Sequence, residues 1–145
     1  MKMYARHASA RWLGTRQRGK GIINTPSAAL KMALHAADGD AKGCGTNPAE
    51  LIAAAIAGSF SLTLADELAQ AGYKPLEIDT MATVTLEPLA GGWTLTQILV
   101  AVTATVPRAA ECEFVDATLR AKANCPISRA LNASTLMTAK LTRKE

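Results

Sequence analysis

Residues 46–72 read TNPAELIAAAIAGSFSLTLADELAQAG, and the fold turns on them. Asn47 is an N-cap by type, Pro48 suits the first helical position, and Glu50 stands three residues after the cap. From there a carboxylate can reach back to the cap's N–H. No breaker stronger than Gly58 interrupts the run before Gly72, a residue type that ends helices. The predicted helix is roughly 35 Å long at ~1.5 Å per residue. Its middle, LIAAAIAGSFSLTLA, is apolar on nearly every side, more than one small domain buries readily. A partner subunit is the natural cover, and Ala53, Ala54, Ala55, Ala57 and Gly58 would let two helices approach closely.

On the N-terminal side, the stretch to about Pro26 mixes polar and apolar residues around Gly14, Gly19 and Gly21 and predicts two or three short antiparallel strands. Residues 36–46, AADGDAKGCGT, form a loop. Beyond Gly72, Ile78, Thr80, Ala82, Val84 and Leu86 alternate with Asp79, Met81, Thr83, Thr85 and Glu87, the period of a strand. PLAGG turns the chain, and Trp93 to Val106 form a return strand stopped by Pro107. Phe114, Val115 and Leu119 predict a helix over 110–123, a short third helix starts at Pro126, and STLMTAKLT is a final strand. The sum is an α+β fold, antiparallel strands with helices gathered on one face.

Composition bounds the rest. The 145 residues are 49% apolar and 19% charged, as expected of one domain spanning 1–145. The longest uninterrupted apolar stretch, Leu51 to Ala57, is far short of the ~20 residues that cross a bilayer. With no cleavable leader pattern at the start either, a cytoplasmic chain without a membrane partner is expected. Net charge is +4, and Lys2, Arg6, Arg11, Arg16, Arg18 and Lys20 make the first twenty residues basic. With few aromatic residues nearby to stack bases, this reads as the solvent face of strands and not as a nucleic-acid surface. No metal or cofactor is expected.

Three cysteines, Cys44, Cys112 and Cys125, argue against a disulfide scaffold. Cys112 lies between Glu111 and Glu113, neighbours that disfavour a thiolate, and reads as structural. Cys125 precedes Pro126, so its thiol stands at a helix N-terminus, where free N–H groups favour the thiolate. Lys122 and Arg129, about one turn to either side, would add positive potential.

GTNPAELIAAAIAGSFSLTLADELAQAGY, followed by IDTMATVTLE and AKANCPISRAL, resembles the OsmC/Ohr family of thiol-dependent hydroperoxide reductases over nearly the whole chain. The resemblance implies an OsmC-like α+β fold and an intertwined homodimer, with two long central helices packed together and active sites at the subunit interface. It also implies a chemistry. A peroxidatic cysteine in the central helix attacks the hydroperoxide, a resolving cysteine in the CP segment condenses with the resulting sulfenic acid, and a dithiol, typically lipoyl-linked, resets the pair.

Carried onto this chain, that pattern is incomplete. Cys125 falls on the resolving cysteine, but Ser59 falls on the peroxidatic one. Ala49 stands where the family has a glutamate, Ile56 where many members have a histidine, and the segment LHAADGDAKGCG lacks the expected arginine. Two functions are therefore expected in turn. The first is a binder of a small hydrophobic molecule, or a repurposed enzyme, at a dimer-interface pocket near Ile56, Phe60 and Leu64. There Ser59 is a pocket hydroxyl or simply bonds the carbonyl one turn back, and His35 lies where members place the arginine. The alternative is a thiol peroxidase or redox protein using Cys125 on organic hydroperoxides, with glycine-flanked Cys44 as its resolving partner.

Overall fold

A computed structural model describes residues 2–35 and 45–142. The chain divides into two compact units, Met1–Leu51 and Ile52–Glu145. Most of the loop predicted at 36–46, Cys44 included, lies outside the described residues.

In the first unit, β1 (Ser9–Leu13), β2 (Lys20–Asn24) and β3 (Lys31–Leu34) form an antiparallel sheet in that order. The expected short strands are present, the third lying beyond Pro26. Trp12 pairs with Gly21 across β1 and β2, and a Cβ on Gly21 would lie 2.6 Å from the Trp12 ring. Glycine there lets the indole lie across the neighbouring strand. After β3, the His35 N–H donates to the Thr46 carbonyl and the Thr46 N–H to the Ala33 carbonyl, both at 2.8 Å. The chain then enters α1 (Pro48–Gln70). Asn47 caps it, its Oδ1 accepting from the Glu50 N–H at 2.9 Å. That satisfies one of the N–H groups every helix start leaves free.

The second unit takes α1 from Ile52 onward. The helix ends as Gly72 predicts: with φ at +89°, that glycine lets Tyr73 N–H reach the Leu68 carbonyl at 2.9 Å and its own N–H the Ala69 carbonyl at 3.0 Å. This pair of bonds is the Schellman closure, and Tyr73 packs against the core next to it. β4 (Glu77–Leu89) and β5 (Gly92–Thr105) then form a long antiparallel hairpin. A register shift between Thr85 and Leu86 leaves Thr96 without a pairing partner on β4, and its buried Oγ1 has no hydrogen bond among the described residues.

α2 (Glu111–Asn124) and α3 (Pro126–Ala130) follow, and β6 (Ser134–Thr142) closes the sheet in the order β4-β5-β6. The pairing of β6 with β5 is parallel, where antiparallel strands were expected throughout. The reason is the connection: two helices intervene between the strands, and a crossover of that kind returns the chain in the direction in which it left.

The core lies between one face of this sheet and the helices. Ile98, Val100, Val102 and Ala104 of β5 meet Ile56, Phe60, Leu64 and Leu68 of α1 and Phe114, Ala117 and Ala121 of α2. Alternate burial along β4 matches the predicted period. In α2 the buried set is Phe114, Ala117, Thr118 and Ala121, one turn apart, while Val115 and Leu119 are exposed. Phe114 thus anchors the inward face of α2 with small side chains filling the rest, while Val115 and Leu119 face outward. By length and apolarity α1 meets the measure of a membrane-crossing helix. It also packs one face on the sheet and buries a charged residue, Glu67, as core helices do.

Candidate active site

Cys125 is at once the C-cap of α2 and the N-cap of α3. Its N–H donates to the Ala121 carbonyl at 2.9 Å, and its carbonyl accepts from Arg129 N–H at 3.0 Å, so both helices fix its backbone. Pro126 at the first helical position holds φ where the turn needs it. The residue is fully buried. Its Sγ lies 3.5 Å from Ser59 Oγ and 3.4 Å from Ser128 Oγ, which donates to it.

Ser59 arrives from the middle of α1. A serine inside a helix commonly bonds the carbonyl one turn back, but here its neighbours do so. Ser61 Oγ donates to the Ala57 carbonyl and Thr63 Oγ1 to the Ser59 carbonyl, each at 2.8 Å. The Ser59 hydroxyl is bonded to the thiol of Cys125 instead.

Burial pushes the Cys125 thiol up, and hydrogen bonds from the Ser128 and Ser59 hydroxyls and the Ser128 and Ile127 backbone outweigh it, leaving the thiol below its ordinary 9.0. The helix-start N–H groups act as the sequence predicts. Lys122 and Arg129 have no part in the shift, so the expected positive potential is replaced by uncharged donors.

The other predicted site residues are placed as follows. Ile56 and Phe60 are fully buried core residues, as is Leu64, so they form packed wall within this unit. His35, exposed, and Ala49, half-buried, fall in the first unit. Cys44 lies outside the described residues. Cys112, read from sequence as structural, is an exposed free thiol because it falls on the outward side of α2. The second unit also has a shallow hollow of about 530 Å³ on the outer sheet face, lined by Asp79, Met81, Thr103 and Lys140 among others, and neither Ser59 nor Cys125 borders it.

Two features escaped the sequence reading. Ser128 stands at the third position of α3, from which a side chain reaches back to the cap. Glu67, buried in α1, accepts from Arg120 Nε at 2.7 Å and from Asn124 Nδ2 at 3.0 Å. A charge inside an apolar helix, with Arg120 and Asn124 one turn apart on α2, was the available signal.

These features define a class: an α+β protein holding a buried thiol at a helix junction against the middle of a long helix. The sequence profile described as OsmC-like protein matches residues 38–140, and the chain belongs to the OsmC-like family. It is 38% identical over 125 residues to the peroxiredoxin OsmC of Escherichia coli, covering 86% of this chain and 87% of that one. Solved structures share the fold. An organic hydroperoxide resistance protein of Elizabethkingia anophelis superposes with a TM-score of 0.74 at 24% identity over 98% of this chain and 100% of its own. An OsmC-like protein of Vibrio cholerae gives 0.78 at 13% identity, over 94% and 99%.

Proposed function

We propose that this chain is a thiol-dependent reductase of organic hydroperoxides that works through one active-site thiol, Cys125, where its family uses a pair. The observation that carries the reading is the 3.5 Å contact between Ser59 Oγ and Cys125 Sγ. It supports the assignment of both positions to one site, where Cys125 brings the one sulfur among the described residues. An alcohol is scarcely ionised near neutral pH and forms neither sulfenic acid nor disulfide. Ser59 therefore acts as a donor that holds the Cys125 thiolate, together with Ser128.

The thiolate attacks the distal peroxide oxygen. The S–O bond forms as O–O breaks, and the alkoxide takes a proton and leaves as the alcohol. A dithiol, lipoyl-linked or similar, then attacks the sulfenic sulfur, releases water and forms a mixed disulfide. Its second thiol displaces Cys125 and leaves as the cyclic disulfide. Two electrons pass from dithiol to peroxide in each cycle. The active species is a cytoplasmic homodimer in which both units act as one OsmC-like domain, and α1 supports this by being apolar on sides its own unit leaves open.

The test is steady-state loss of cumene hydroperoxide with dihydrolipoamide. Turnover that disappears in Cys125→Ala and survives in Cys44→Ala supports the reading, and no turnover above the Cys125→Ala rate overturns it. One observation favours a second reading, a binder of a small apolar molecule: Cys125 is fully buried in the same apolar cluster as Ile56 and Phe60. Under that reading the reduced protein binds such molecules and consumes no peroxide.

A further inference from the structure

Helix α1 meets the junction of α2 and α3 through polar groups at two levels. One is Ser59 on the Cys125 thiol. The other, about two turns further along α1, is Glu67, whose carboxylate takes one bond from Arg120 and one from Asn124. Asn124 is the last residue of α2 and adjoins Cys125. Arg120 is half exposed and could be solvated by water, whereas the Glu67 side chain is about 10% exposed. Burying a carboxylate is costly without charge-assisted partners, and both partners here come from the final turn of α2. The pair therefore fixes where that turn, and the cap residue after it, stands against α1.

We propose that Glu67 is a positioning residue for the active-site thiol: by gripping Arg120 and Asn124 it holds Cys125 within hydrogen-bond distance of Ser59. The proposal rests on the reading of Cys125 as the reactive thiol. It makes a prediction of unusual sign. Replacing Glu67 with glutamine removes a negative charge and leaves Arg120 positive, and through space both changes favour a thiolate. Loosening the junction does the opposite, because the thiolate loses a donor. A rise in the thiol's titration midpoint can then come only from position.

The experiment titrates Cys125 by the ultraviolet absorbance of its thiolate in full-length protein carrying Cys44→Ala and Cys112→Ala, so that one thiol remains. Glu67→Gln, and Asn124→Ala approaching the clamp from the other side, are compared with the parent and with Ser59→Ala. Thermal melting is followed in each. The expected result is a midpoint raised by about one pH unit in Asn124→Ala and Ser59→Ala. Glu67→Gln, whose amide oxygen still accepts from Asn124, rises by less. A midpoint raised by Ser59→Ala but unmoved or lowered by both clamp variants, with melting still cooperative, overturns the positioning role alone. A parent thiol that titrates at its ordinary value and ignores Ser59→Ala overturns the site reading and this proposal together.

Discussion

At the scale of single residues, the proposed chemistry of this site turns on one atom. Oxygen in place of sulfur at position 59 converts a potential disulfide partner into a hydroxyl 3.5 Å from Cys125, which accepts from the thiol and donates to the thiolate. Ser59→Cys should therefore restore a pair, and one equivalent of peroxide should then consume two thiols in place of one on titration. The pH behaviour follows from the direction of each shift. The Cys125 thiol is held below 9.0, so its contribution to stability is present above that value and lost as pH falls through the folded value. Glu67 is a carboxyl held below 4.5 by its bonds from Arg120 and Asn124, against the opposing effect of burial. Its stabilisation is complete above 4.5 and lost as pH falls through the folded value. Urea unfolding from neutral into acid should show a steeper acid loss for the parent than for Glu67→Gln.

At the scale of elements, α1 was legible from its ends. Asn47 and Gly72 announced the helix, and both perform the capping their types predict. Asn47→Ala should cost about 1 kcal/mol, and Gly72→Ala, with φ at +89°, roughly 1 kcal/mol. In a chain of this length each lowers the melting temperature by about 2–4 °C in calorimetry. Phe60→Ala, which empties the centre of the core, should cost about 3–5 kcal/mol. The strands were legible because alternation exposes one face and buries the other. The parallel pairing of β6 was not, since strand direction depends on the path of α2 and α3 and not on any pattern within STLMTAKLT. Nor was the inward face of α2: Val115 and Leu119 carry more apolar surface than Ala117 and Ala121, yet the alanines face the core. Ser128 and Glu67 went unread for a similar reason, because a polar side chain's partner is set by packing between elements.

At the scale of the whole molecule, α1 is apolar beyond what its own unit covers. Ile56, Phe60, Leu64 and Leu68 are buried, while Leu62 is 72% exposed. If a second copy supplies the cover, Leu62→Glu should turn a dimer into a monomer in light scattering while far-ultraviolet dichroism stays helical. The central claim is narrower: one thiol, Cys125, carries the peroxide chemistry. Its most direct test is a single turnover of reduced protein with one equivalent of cumene hydroperoxide, followed by trapping with a sulfenic-acid-specific nucleophile and peptide mass analysis. The trapped adduct is expected on Cys125 with one thiol lost, and Cys125→Ala should leave the peroxide unconsumed. Peroxide left unconsumed by the parent, or consumed with the adduct on Cys44 or Cys112 and Cys125 untouched, would contradict the claim.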